Sequence, residues 1–272
     1  MRKNPVKIYK TVSLQNPPLL VSWHTQDAGQ LGSKVTDFLI EKLNGQRIGE
    51  IDPLGFFSFG GVRFKEDLVQ VQESQFWACK EHNLLIFKSD EPLFEHYQFL
   101  ITILNFVKDR YQTQELYTLS GAISLTPHTR PRRIWAVFNH LEMKQRLQGY
   151  GLENMTWEGP PAISSYLLWV ARAKGVLGMS LWPEIPFYLS NRQDPQAIGQ
   201  TLSFLDQKFG LRLDLMEWEI ETAILNRKIA HLRKENSEIE RCLSLLEKGM
   251  RIDENDQLKL TKEIDELFRE RD

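Results

Sequence analysis

The sequence predicts an α/β protein, in which helices cover both faces of a mainly parallel sheet, followed by a helical extension. Short apolar runs of strand length alternate with longer segments whose apolar residues recur every three or four positions. Such alternation implies right-handed βαβ crossovers and therefore parallel strands. The extension is predicted because the chain keeps its helical spacing and becomes strongly charged after residue 213.

The predicted strands are short apolar or β-branched runs that are bounded by turn residues. In chain order they are PPLLVSW, QRIGEID, FWACK, NLLIFKS, ELYTLSG, RIWAVFN and VLGMSLW. The first of them follows a pair of prolines and is apolar over most of its length, which is typical of a buried strand.

Two long helices are predicted in the first half of the chain. The first places its apolar residues on one face, namely Leu31, Val35, Phe38, Leu39 and Leu43. The second follows NLLIFKS, with Ser89 or Asp90 as its N-cap and Pro92 in its first turn. Its apolar residues are Leu93, Tyr97, Leu100, Ile101, Leu104 and Val107.

Three further helices are predicted before the extension. LEMKQRLQ is a short one, and ISSYLLWVARAKG is closed by Gly175. The third, DPQAIGQTLSFLDQKFG, has Asp194 as its cap, Pro195 in its first turn and Gly210 beyond its end.

The extension has a heptad pattern and is predicted to form one long helix. Its seam residues follow Thr222 in steps of three and four, and they are Leu225, Ile229, Leu232, Asn236, Ile239, Leu243 and Leu246. Asn236 falls at an a-type position, where a buried asparagine often fixes the register of a coiled coil. The seam is therefore predicted to meet another helix.

Three partners for this seam remain open: a second chain, the rest of the same chain, or the tail as a returning helix. The tail offers Leu260, Ile264, Leu267 and Phe268. A parallel homodimer would set Lys228 against Arg233 and Glu235 against Glu240, and like charges at these positions repel. An antiparallel partner would instead allow Lys228 to approach Glu235.

The composition argues against several classes of function. The net charge is −2, which gives no overall basic field for nucleic acid or anionic lipid. Only two cysteines are present and the six histidines are scattered, so no disulfide framework and no metal site are predicted. The longest apolar stretch, YQFLITILNFV, is too short to span a membrane. We expect a cytoplasmic protein without a cofactor.

The loops after the predicted strands supply the candidates for a small-molecule site: Asp27, Gly29, Gly32, Asp90, Arg130 and Glu158. Loops at the carboxyl ends of parallel strands converge, and ligands bind there in open α/β sheets. Glycine amides and arginine suit an anion, and carboxylates suit proton transfer. The alternative is that these residues cap helices and solvate loops. The sequence contains no G-x-G-x-x-G, Walker or G-x-S-x-G motif.

The segment TPHTRPRR, residues 126–133, brings three arginines and a histidine together. Arginine donates two parallel hydrogen bonds to carboxylate or phosphate, so the segment is a candidate for binding an anion. Acidic loops nearby offer the alternative that this charge is neutralised within the protein.

The order of several motifs resembles the proteasome assembly chaperone 2 family, in particular its bacterial members. The likeness spans most of residues 17–248, and five stretches carry it: PPLLVSWHTQDAGQLGSKVTDFLIEKL, LIFKSDEP, LSGAISLTPHTRP, LWPEIPFYLSNRQDPQAIGQTLSFLDQKFGLRLDL and EWEIETAILNRKIAHLRKENSEIERCLSLLEK. The resemblance implies a three-layer α/β/α sandwich that is related in shape to nucleoside phosphorylases. It also implies self-association and no established reaction. For eukaryotic relatives it implies a chaperone that pairs with a partner to assemble the proteasome ring.

One departure from the family pattern concerns the turn GPPAISSYLL. Family members commonly carry glycines there, whereas this chain has Ala162, Ser164 and Ser165. Side chains at these positions limit access to the backbone, which weakens an enzymatic interpretation.

We therefore expect three regions and a binding function. Residues 1–16 are an N-terminal extension, residues 17–213 the α/β/α domain, and residues 214–272 a coiled-coil-like helical extension. The expected function is a binding or assembly protein that contacts protein partners and forms a homo-oligomer, without binding nucleic acid or membranes. The alternative is a hydrolase or transferase that acts on a small anionic or nucleoside-like ligand at the carboxyl edge of the sheet.

Overall fold

A computed structural model describes residues 5–25, 27–58, 63–65, 68–70, 72–156 and 162–269. Contacts between residues divide the chain into two compact units. The described residues of Met1–Gln26, Thr36–Ser120 and Ala136–Leu181 form the first unit. Those of Asp27–Val35, Gly121–Trp135 and Trp182–Asp272 form the second unit.

The described residues contain twelve strands and eight α-helices. The strands are β1 (Val6–Ile8), β2 (Leu19–Trp23), β3 (Gln46–Ile51), β4 (Arg63–Lys65), β5 (Leu68–Gln70), β6 (Ser74–Cys79), β7 (Leu84–Ser89), β8 (Glu115–Leu119), β9 (Ala122–Ser124), β10 (Ile134–Phe138), β11 (Glu153–Asn154) and β12 (Leu177–Pro186). The helices are α1 (Leu31–Lys42), α2 (His96–Tyr111), α3 (Leu141–Arg146), α4 (Ile163–Ala173), α5 (Pro195–Phe209), α6 (Met216–Glu235), α7 (Ser237–Glu247) and α8 (Glu254–Arg269).

The large sheet has the strand order β1-β3-β6-β7-β2-β8-β12-β10-β11, with β9 beside the end of β12, and β4 pairs with β5 in a separate hairpin. The central pairs β7-β2, β2-β8 and β8-β12 are parallel. The pairs β1-β3, β3-β6 and β6-β7 are antiparallel. The sheet is therefore mixed, and the prediction of a mainly parallel sheet holds only for its centre.

The antiparallel pairing of β6 with β7 has a local cause. Only residues 80–83 separate β6 from β7, which is too short for a parallel crossover. The two strands pair as a hairpin, with Ser74 opposite Ser89.

The core of the first unit is rich in aromatic side chains. Phe99 of α2 lies 5.0 Å from Phe56 and 6.2 Å from Phe87, measured between ring centroids. Trp23 at the end of β2 meets Phe87 edge to face at 6.2 Å. Its indole N–H donates a hydrogen bond to the hydroxyl of Ser164 at 3.1 Å. Aromatic pairs with this geometry stabilise a core beyond the area that they bury.

The core of the second unit is built by helices. Its buried side chains from α5 to α8 include Ile198, Leu202, Leu205, Trp218, Leu225, Ile229, Ile239, Leu243, Leu246, Leu260 and Ile264. Gly199 of α5 allows α6 to approach closely, because a Cβ atom at this position would lie 3.1 Å from Cβ of Trp218. α8 returns along α6 and α7, and it also contacts the turn formed by residues 187–189.

Two sequence predictions about helices are wrong. α2 begins at His96, not at Asp90, because the N–H groups of Leu93 and Phe94 donate to the carbonyl oxygen of Phe56 instead of starting a helix. The extension is not one continuous helix, since it breaks at Asn236. Among the described residues, no helix is both long enough and apolar enough to span a membrane.

Candidate functional site

Asp27 and Gly29 lie in the loop between β2 and α1, and Gly32 lies in the first turn of α1. The polar groups of Asp27 bond within the second unit. The Asp27 carboxylate accepts hydrogen bonds from the N–H of Gly32 at 2.7 Å and from the N–H of Ser33 at 2.9 Å. The Ser33 hydroxyl also donates to it at 2.6 Å. Asp27 therefore caps the start of α1, which matches the alternative expected from the sequence for loop carboxylates.

Gly29 is held in place by hydrogen bonds through both its N–H and its carbonyl group. Its φ is +69°, a left-handed conformation that favours glycine. Its N–H donates to the carbonyl oxygen of Ser190 at 2.8 Å, and its own carbonyl accepts from the N–H of Asp194 at 3.0 Å. A Cβ atom here would lie 2.8 Å from Cδ1 of Ile185. The Gly29 N–H, which was a candidate for binding an anion, therefore already donates a hydrogen bond within the chain.

Two of the three arginines of the segment 126–133 are paired with acidic side chains of the second unit. Arg132 is 1% exposed and Asp194 is fully buried. The Arg132 guanidinium donates to both carboxylate oxygens of Asp194, at 2.8 and 3.3 Å. It also donates to the carbonyl oxygen of Arg130 at 2.8 Å. A buried charge with this number of partners is a structural element, since an unpaired one would be costly.

The other two arginines of this segment also have partners. Arg133 forms a two-pronged ion pair with Glu184, at 2.9 and 2.7 Å. Arg130 is exposed, and its guanidinium donates to the carbonyl oxygen of Glu247 at the end of α7. The sequence identified the arginines but not their partners, because those partners lie far away along the chain.

His128 and Tyr188 form a buried polar pair beside these arginines. Nδ1 of His128 lies 2.9 Å from the Tyr188 hydroxyl, which also accepts from the backbone N–H of His128 at 2.6 Å. Burial, helped by the positive charges of Arg132 and Arg233, lowers the pKa of His128 to about 4. Burial raises the pKa of Tyr188. Both side chains are therefore neutral near pH 7.

Asp90 belongs to the first unit, whereas Asp27, Gly29, Gly32 and Arg130 belong to the second. The Thr25 hydroxyl donates to the Asp90 carboxylate at 3.4 Å and accepts from the N–H of Glu91 at 3.0 Å. Burial raises the pKa of Glu91. Glu158, the remaining candidate, lies outside the described residues.

The seam of the extension packs inside the second unit. Five of its side chains are buried, namely Leu225, Ile229, Ile239, Leu243 and Leu246, and Leu232 and Asn236 are half-buried. Asn236 is the N-cap of α7, where its side chain accepts from the N–H groups of Glu238 and Ile239 at 3.1 and 3.3 Å. Contact between the seam and a second chain stays a prediction.

An ion-pair network crosses the break between α6 and α7. Arg233 donates to Glu240 at 2.6 Å and to Glu247 at 2.7 Å. These bonds hold the pKa of Glu240 near 2 and lower that of Glu247. In the sequence, Arg233, Glu240 and Glu247 are spaced seven residues apart. This spacing indicates an ion-pair network only when it is known that the helix breaks between Arg233 and Glu240.

The outward face of α6 carries a short apolar stripe over its first half, flanked by the exposed Glu217, Glu219 and Glu221. Met216, Ile220 and Ile224 follow one another at intervals of four residues, and they are 63%, 52% and 38% exposed. This stripe was not recognisable from the sequence, because the neighbouring heptad seam extends over more residues. Within the described residues, no group of three or more His, Cys, Asp or Glu side chains is arranged to hold a metal ion.

Residues 24–233 match a family model that is described as the PAC2 family, and this range is more than half of the chain. No curated protein matches the chain.

Several solved structures share the fold. A protein of unknown function from Corynebacterium glutamicum is 20% identical with a TM-score of 0.78, over 91% of this chain and 97% of that one. A proteasome-assembly chaperone homologue from Mycobacterium tuberculosis is 17% identical with a TM-score of 0.71, over 83% and 99%. An archaeal proteasome activator from Pyrococcus furiosus is 20% identical with a TM-score of 0.69, over 84% and 98%. Because the identities are this low, the similarity shows that these proteins share a fold and shows nothing about their function.

Proposed function

The chain belongs to the PAC2 family, and we propose that it is a proteasome-assembly-chaperone-like binding protein that works through contacts with other proteins and with copies of itself. The similarity to an assembly-chaperone homologue and to a proteasome activator supports a role in which the chain binds other proteins. Its location would be the cytoplasm. The three-layer, phosphorylase-like sandwich and the three regions 1–16, 17–213 and 214–272 are part of the same proposal.

The observation that carries self-association is the exposed stripe of Met216, Ile220 and Ile224 on α6. Helix faces that pack within a protein are apolar, and an apolar face left in water favours association. The opposite face of α6 is already occupied, since Leu225 and Ile229 are buried. We therefore assign the contact between copies to the outward stripe.

The alternative enzymatic function gains no support from the loop contacts. The Asp27 carboxylate, the Gly29 amide and the Arg130 guanidinium, which would hold an anionic substrate, each bond within the chain. An acid or base in proton transfer must reach the substrate, and Asp27 is already occupied as a helix cap.

Light scattering on the purified full chain tests this proposal. We expect a mass that is a multiple of 31.8 kDa, because the stripe is covered in the assembly. Replacing both Ile220 and Ile224 with Glu should reduce the mass to that of one chain, since charges on the stripe oppose burial. Ala230→Glu is the control for placing a glutamate on α6, because it adds one negative charge to an exposed position outside the stripe. A wild-type chain that stays at 31.8 kDa at every concentration would contradict self-association.

A further inference from the structure

The first unit carries a second exposed apolar cluster, which we name the Leu93 patch and define as Leu54, Leu93, Phe94 and Tyr97. Their exposed fractions are 61%, 56%, 54% and 51%. Single exposed apolar residues are ordinary on protein surfaces, but four large ones together, two of them aromatic, are typical of an interaction site.

Backbone hydrogen bonds hold the two segments of the patch together. The N–H groups of Leu93 and Phe94 donate to the carbonyl oxygen of Phe56 at 2.8 and 3.1 Å. The ring of Phe56 points inward, where it meets Phe99 edge to face at 5.0 Å. The turn before α2 is thus anchored to the loop after β3 through a buried aromatic residue. Because its backbone is fixed, the patch loses little conformational entropy on binding.

The backbone keeps these side chains on the surface at some cost. Glu95 has a φ of +52°, a left-handed conformation that is unfavourable for a residue with a side chain. It sits between Phe94 and the first turn of α2, which has no side-chain cap. Residues held in sparsely populated backbone conformations cluster at active sites, ligand clamps and switch regions.

The two segments that carry the patch are acidic in sequence, and we call their carboxylates its acidic rim. Residues 52–58 and 90–98 include Asp52, Asp90, Glu91 and Glu95 but no lysine or arginine. The negative field of these carboxylates attracts basic groups and repels acidic ones. An apolar centre with a rim of one charge favours a partner with an apolar centre and the opposite charge around it.

We propose that the Leu93 patch is a docking surface for a protein segment that places apolar side chains on Leu93 and Phe94 and sets lysine or arginine against the acidic rim. The proposal deepens the proposed function, since it names the chemistry of a partner other than a second copy. It uses a surface of the first unit, whereas self-association is assigned to α6 of the second.

Selection from a library of short random peptides, with the full chain immobilised, tests the proposal. We expect the enriched peptides to combine aromatic or aliphatic residues with flanking lysine or arginine. Fluorescence anisotropy then measures the affinity of one enriched peptide. Leu93→Ser with Phe94→Ser should weaken its binding about tenfold or more, as expected for the centre of an interface. Asp90→Lys with Glu95→Lys should weaken it as well, and the wild-type affinity should fall as salt is added.

Trp169→Ser is the matched control, since Trp169 is an aromatic residue of the same unit with 61% exposure and lies outside the patch. Thermal unfolding confirms that each variant folds. No enrichment, enriched peptides without basic residues, or binding that survives Leu93→Ser with Phe94→Ser would each overturn the proposal. A lower mass of this variant in light scattering would show that a second copy covers the patch, which also overturns it. If only the α6 variants lose self-association, the proposal of docking at the Leu93 patch stands.

Discussion

Arg132 and Asp194 form an ion pair with almost no exposure to water. Asp194 also accepts from the N–H of Ala197, so one carboxylate caps α5 and neutralises a buried guanidinium. The sequence predicted the cap from the Asp-Pro start of the helix. It could not predict the ion pair, because Arg132 precedes Asp194 by 62 residues and the pairing depends on tertiary structure. The loss of either partner would leave an uncompensated buried charge.

His128 provides a test of how firmly this region is buried. Its pKa is lowered to about 4 in the folded chain, whereas an unfolded histidine has a pKa of about 6.5. Between these values the unfolded chain binds a proton that the folded chain does not. The stability contributed by neutral His128 is therefore present above pH 6.5 and is lost as the pH falls toward 4.

We expect the free energy of unfolding of the wild type to fall, relative to His128→Asn, by on the order of 3 kcal/mol between pH 7 and pH 4. Asparagine carries no titratable group but keeps a polar atom near the Tyr188 hydroxyl. Urea unfolding at several pH values measures the difference. His231→Asn is the control, because the His231 side chain is 69% exposed. Equal pH dependence of the wild type and His128→Asn would show that His128 is not buried as described.

Asn236 illustrates the limit of heptad patterns at the level of elements. The residue fits an a-type position, yet its side-chain oxygen binds the N–H groups of α7 and ends the preceding helix. Asparagine competes with the helical backbone for hydrogen bonds, so the same residue suits both a coiled-coil core and an N-cap. Spacing alone did not distinguish the two, because α7 continues the apolar pattern after the break.

Asn236→Ala should lower the free energy of unfolding by about 1 kcal/mol, because two N–H groups at the start of α7 lose their acceptor. Asn236→Ser should retain most of this stability, since serine is also a good N-cap. Urea unfolding followed by circular dichroism measures both. An alanine variant as stable as the wild type would mean that the cap does not cause the break.

The start of α2 shows a second limit at this level. The motif Ser-Asp-Glu-Pro predicts a helix from Asp90, but the carbonyl oxygen of Phe56 captures the N–H groups of Leu93 and Phe94. Phe56 lies more than thirty residues upstream, and no local rule includes it. The same contact keeps Leu93, which was predicted to lie in the helix, outside α2 and exposed beside Phe94.

At the scale of the whole molecule, the alternation of strands and helices predicted the α/β class and the parallel centre of the sheet correctly. Its antiparallel side follows from the short connection between β6 and β7, which can be recognised in the sequence once both strands are known. The sequence predicted which polar loops contribute to the candidate site. It did not predict the hydrogen bonds that their side chains form. Among the described residues of the site, Asp27 caps α1, and Arg130 donates to a backbone carbonyl oxygen far along the chain. The exposed apolar residues are different ones.

We propose that this chain recognises protein through exposed apolar side chains, while its polar loops are a structural framework. Thermal unfolding of the full chain with phosphate, nucleosides and nucleotides tests it most directly. We predict that none of them stabilises the chain, because the Gly29 amide and the Arg130 guanidinium already have partners. A saturable stabilisation, about 2.7 kcal/mol at one hundred times the Kd, that disappears in Arg130→Gln would contradict the claim.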